Sequence, residues 1–166
     1  MKSKSEKLKS KKSKLDIRDH RALVLWATDC AEHVLSHFEK EYPEDDRPRK
    51  AIEAGRIWVA EKLPMKMKVI RSAALDAHAA ARTIENAAAR AAARAAGQAV
   101  ATVHVLGHAV GAAYYGVKAA EAAGVEGERE WQYKHLPKRL RPLVFTAKKE
   151  IKRFLKIHPV CGFRSH

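Results

Sequence analysis

The residues whose types and spacing come closest to carrying chemistry are His104 and His108. Four residues apart, two imidazoles share one face of a helix and can ligate one ion, as in the helical zinc motif. Here Val-Leu-Gly separates them, so the glutamate base of a zinc protease is missing. Further ligands would have to come from His78, Asp76, Asp29 or Cys30 on converging helices. The competing reading makes Asp29, Cys30, His78, Gln98, His104 and His108 a hydrogen-bonded polar cluster in the core, because buried polar groups must find partners. The second reading is preferred, with no catalytic residue, no metal and no cofactor assigned.

Asp29 lies in WATDCAEHVL, among apolar residues. A carboxylate on a largely buried helix is expected to pair with a base, here His78, Arg82 or His104. Asp45, Asp46, Arg47 and Arg49 of DDRPR form a candidate recognition patch or a helix cap with solvated charges. Lys148, Lys149, Lys152, Arg153 and Lys156 lie on a basic amphipathic segment that could touch nucleic acid or a membrane surface, or simply be solvated. No phosphate loop, nucleophile elbow, paired CxxC or dinucleotide glycine pattern occurs.

The elements that must position these residues read as helices throughout. The chain is rich in alanine, which loses no side-chain entropy in a helix, and no period-2 run is long enough to propose a strand. A first helix runs from an Asp16 or Asp19 cap to about Lys40, with Leu23, Trp26, Ala27, Cys30, Val34 and Phe38 inward. A second begins at Asp45 or Asp46, takes Pro48 in its first turn, and buries Ile52, Ile57 and Trp58. A third spans roughly Met65 to Ile84, with Val69, Ala73 and Ala77 in line, and Glu85–Asn86 marks a break. The stretch from Ala95 to Val117 contains no Lys, Arg, Asp, Glu or Pro, and as one helix it would reach roughly 35 Å. Gln98, Thr102, the two histidines and four glycines argue against a membrane span, so it reads as the buried centre of a bundle. A turn at Gly124–Gly127, a short helix ending before Pro137 and a last helix through LVFTAKKEIKRFLK complete the chain. The expectation is an all-α single domain of about six or seven helices around a buried Ala/Gly-rich central helix. The domain occupies residues 16–157, between a disordered Lys/Ser-rich tail at 1–15 and a loose tail at 158–166.

The charge of +14 is concentrated at the ends. Residues 1–15 carry +6, residues 134–166 carry +9, and the body between is close to neutral at −1. Basic ends attract nucleic acid or anionic lipid without reading sequence, or act as solubilising tails. Two cysteines at unrelated positions make no disulfide framework and suit a reducing cytoplasm, and the Lys/Ser head lacks the apolar core of a signal peptide.

Three stretches, ALVLWATDCAEHVLSHFEKEYPEDDRPRKAIEAGRIW, LDAHAAAR and AAGQAVATVHVLGHAVGAAYYG, together resemble the all-helical putative immunity proteins of prokaryotic polymorphic toxin systems. The resemblance covers roughly residues 18–145. It implies a small intracellular protein that binds and neutralises a toxin without catalysis. It also carries over Asp29, Cys30, Asp46, Arg47, Pro48, Trp58, His78, Gln98, His104 and His108 as signature positions. The Lys/Ser head and basic tail depart from the family pattern. Two other readings compete with toxin inhibition. One is a nucleic-acid-associated protein using both basic ends, and the other is a metal-dependent enzyme built on His104 and His108.

Overall fold

The computed structural model describes residues 15–60 and 65–145, and every regular element among them is helical. In chain order these are α1 (Ile17–Glu39), α2 (Arg47–Ala60), α3 (Met67–Arg82), α4 (Ala87–Ala101), α5 (His108–Ala122), α6 (Glu128–His135), a 3-10 turn (Lys138–Leu140) and α7 (Arg141–Phe145). The all-α bundle expected from the composition is the fold. Of the basic segment after Pro142, only the first residues, to Phe145, are described.

α4 is the centre. It packs against α1, α2, α3 and α5, and 12 of its 15 residues are buried. Nine of those are alanine. A methyl side chain adds little girth to the helix, so four neighbours can approach one axis closely. The larger side chains that fill the gaps come from those neighbours: Trp26, Leu35 and Phe38 from α1, Ile52 from α2 and Ile70 from α3. Asn86 starts α4, its side-chain oxygen accepting the Ala89 N–H at 2.9 Å.

The stretch from Ala95 to Val117 is not one helix but a helical hairpin. α4 ends at Ala101, residues 102–107 turn, and α5 begins at His108. Within the turn the backbone bonds shift to three-residue spacing, as from Val103 N–H to Val100 C=O at 3.1 Å and His104 N–H to Ala101 C=O at 3.1 Å. Two hydrogen bonds at Thr102 favour the break, one local and one from α1. The Thr102 hydroxyl donates back to the Gln98 carbonyl at 3.1 Å, an alternative to continued helix. His20 of α1 donates its Nε2 hydrogen to the Thr102 carbonyl at 3.0 Å, satisfying an acceptor that a longer helix would have used. The hairpin is antiparallel: Gln98 meets His108, while Ala87 and Ala91 share a cleft with Ala122 and Lys118.

Other boundaries follow their local chemistry. Asp16 caps α1, accepting the Arg18 N–H at 3.1 Å, and Asp45 accepts the Arg47 N–H at 3.2 Å where α2 starts. α5 closes with Gly124 at φ 71°, while the Val125 N–H reaches back to the Ala120 carbonyl at 2.9 Å. That left-handed residue and its six-to-one bond are the Schellman signature, which glycine adopts without steric penalty.

Two residues expected to face inward do not, while Ile52 and Trp58 are buried as expected. Ile57 is 45% exposed and Val69 is 49% exposed, whereas Trp58 and Ile70 are buried. One residue is 100° of helix rotation, enough to carry a side chain from the buried face to the surface.

Because α4 depends on close approach, added volume there should be harmful even when apolar. Ala92→Leu, at a position with no exposure, is expected to destabilise by roughly 1–3 kcal/mol. Chemical denaturation monitored by circular dichroism checks this, and an unchanged midpoint would contradict the packing argument.

Candidate functional site

The hairpin bend gathers four of the six expected cluster residues. The His108 Nδ1 hydrogen bonds the Gln98 side-chain oxygen at 2.8 Å, and the His104 and His108 rings lie 5.3 Å apart, tilted by 56°. His78 of α3 joins them against Gly97 of α4. Glycines make the room: a Cβ at Gly97 would stand 2.8 Å from His78 Nε2, and one at Gly111 would stand 2.5 Å from the Gln98 oxygen. His104 lies in the turn, so the two histidines are neighbours across a bend rather than on one helical face.

This cluster sits in a positive field. Burial is the main cause that lowers the His78 pKa, to about 4, reinforced by Arg94, His108 and Arg82. His104 is also lowered, by burial and then by Arg71. Both imidazoles are therefore neutral at ordinary pH. The surrounding guanidiniums oppose a metal cation, and no group of three or more His, Cys, Asp or Glu among the described residues is arranged to hold one. His78 Nδ1, His104 Nδ1 and Gln98 Nε2 are buried with no hydrogen-bond partner among the described residues. That leaves the cluster polar but only partly satisfied.

Asp29 and Cys30 go elsewhere. Asp29 is not buried with a histidine; it pairs with Arg56 of α2 at 3.0 Å, with 42% of its side chain exposed. Arg56 also reaches Glu32 at 3.2 Å, and Arg49 joins Glu32 at 2.6 Å and Glu39 at 2.8 Å. These form a charge ladder between α1 and α2. Arg49, expected in a recognition patch, is thus engaged within the chain, while Asp45 pairs with Arg47 at 2.6 Å and Asp46 with Lys50 at 2.9 Å. Cys30 is fully buried. Burial, with the Glu128 and Asp29 charges, holds its thiol well above the ordinary value, so little reactive thiolate forms.

Glu128 belongs to a second polar cluster that the sequence did not reveal. It is 5% exposed and meets His33 Nδ1 at 2.6 Å. The Gln132 amide donates to Glu128 at 3.0 Å and to the Ala113 carbonyl at 3.0 Å, and the Trp26 indole N–H donates to the Gln132 carbonyl at 2.9 Å. Trp131 stacks on His33 at 3.8 Å and on His135 at 4.0 Å. The only available cue was Glu128 and Gln132 at helical spacing in an otherwise polar segment. This cluster fastens α6 to α1 and α5.

The surface opens between the arms of the hairpin. A cleft of about 490 Å³ is lined by Ala87, Arg90, Ala91, Arg94, Tyr114, Tyr115, Lys118, Glu121 and Ala122. Lys118 meets Glu121 at 3.2 Å and lies 5.7 Å from the Tyr114 ring centre. Burial pushes the Tyr115 hydroxyl up to about 12 despite the pull of Arg94, so it stays protonated. Lys148, Lys149, Lys152, Arg153 and Lys156 lie outside the described residues.

The model of the Imm-5 like putative immunity protein family matches residues 13–139, which span α1 to α6. The chain belongs to this family. No curated protein and no solved structure gives a match. The family match thus falls on the helical bundle, including both polar clusters and the hairpin cleft. Among the described residues, no helix is long and apolar enough to cross a membrane.

His78 links this site to stability. The unfolded chain protonates it at 6.5 and the folded chain only at about 4. Between those values the unfolded state binds more protons, so stability present above pH 6.5 is lost as pH falls, by about 3 kcal/mol at most. Thermal unfolding across this window should show a steeper decline for the wild type than for His78→Asn; parallel declines would contradict it.

Proposed function

We propose that this chain is a non-catalytic immunity protein that acts in the cytoplasm, neutralising a toxin by direct contact. The carrying observation is the family match, which lies on the folded bundle rather than on the basic ends. The interior chemistry supports the same reading. Gln98 orients His108, Glu128 holds His33, and Gln132 fastens α6, so these groups are used in joining helices. The Cys30 thiol is buried and its ionisation suppressed. Two cysteines at unrelated positions also accord with a reducing compartment.

A stable inhibitory complex of this kind covers about 1,600 Å² in total, far more than any small-molecule cleft supplies. Most of the binding energy should then come from a few side chains at the centre of the interface.

Capture from a native lysate of the producing cell should return one protein in stoichiometric amount. Expressing that protein alone should arrest growth, and co-expressing this chain should restore it. Capture of no protein, or of one whose expression is harmless, would sink the proposal.

A further inference from the structure

We infer that the cleft between α4 and α5 is an acceptor for a short acidic segment of the protein partner, with Arg94 as the anchoring cation; the inference rests on the immunity reading above. Its lining brings together Arg90, Arg94 and Lys118 with Tyr114, Tyr115 and a single carboxylate, Glu121. Lys118 holds that carboxylate at 3.2 Å. Arg90 donates to the Ile84 carbonyl at 3.0 Å, and no described carboxylate ion-pairs with it. Arg94 is half-buried, and no described carboxylate ion-pairs with it. A partly desolvated guanidinium lacking a negative partner is costly, and a carboxylate entering the cleft would relieve that cost through a forked pair of hydrogen bonds.

The size and surroundings favour an acidic peptide over a nucleic acid. A polyanion needs a basic stripe along many phosphates, whereas residues 16–133 carry a net charge of −1. The neighbouring pocket at the end of α5 is lined by Glu121, Glu126 and Glu128 against Arg129, so a phosphate chain leaving the cleft in that direction meets mostly like charge. One or two carboxylates fit the local field, and the partly exposed Tyr114 ring supplies the rigid apolar contact typical of interface centres.

The test has two arms on the full chain. In the first, fluorotyrosine is incorporated and fluorine NMR follows titration with a twelve-residue Asp/Glu-rich peptide. The Tyr114 and Tyr115 signals should shift saturably while those of Tyr42 and Tyr133 stay fixed. Arg94→Gln should weaken binding about tenfold, and Arg94→Lys should retain part of it, which keeps the comparison meaningful if the Gln variant folds poorly. Absent shifts, equal affinity in Arg94→Gln, or tighter binding of an oligothymidylate of the same length would overturn the assignment. In the second arm, Arg94→Gln should capture the lysate partner at least tenfold less well than the wild type. Equal capture by both removes the cleft from the interface and leaves the immunity reading intact. Capture of nothing by the wild type, with the peptide shifts present, removes the immunity reading and leaves an acid-binding cleft.

Discussion

The bundle depends on one helix having almost no side chains. α4 presents alanine to α1, α2, α3 and α5 at once, and bulk there would push neighbours apart on several sides. Close approach of this kind maximises dispersion contacts between backbones, while the shape-defining side chains are supplied from outside. The two polar clusters obey the same constraint. His78 reaches the centre because Gly97 leaves it space, Gln98 because Gly111 does, and Gln132 because a Cβ at Gly116 would stand 2.8 Å from its amide.

Much of this was legible in the sequence wherever a residue had a local job. Asp16 and Asn86 start helices with their own oxygens, and Gly124 ends one with a conformation other residues avoid. The α1 stripe was legible because its apolar residues are large and regularly spaced. The hairpin was not, because its bend contains no proline or charged residue, and its decisive bond comes from His20, more than eighty residues away in the chain. Ile57 and Val69 misled for a related reason. With alanine at the centre, adjacent apolar residues compete for the inward place, and only the packed neighbours decide between them.

The candidate site was legible in membership but not in arrangement. His78, Gln98, His104 and His108 do converge, but at a bend and under the fields of Arg71, Arg82 and Arg94. Asp29 lay among apolar residues in the sequence yet sits at the edge of the α1–α2 seam, where Arg56 can reach it. Long arginines span such a seam from the surface, a reach that residue spacing along one helix cannot express. Glu128 shows the converse: a buried acid hidden in the most polar helix, whose partners come from α1 and α5.

The bend at 102–107 also has a kinetic side. The most extensive helix pairing among the described residues, α4 with α5, joins segments separated by only six residues. Closing so short a loop loses little chain entropy, and architectures dominated by such local contacts reach the native state quickly. The centre of the bundle is therefore built from one contiguous piece of chain, against which α1, α2 and α3 pack.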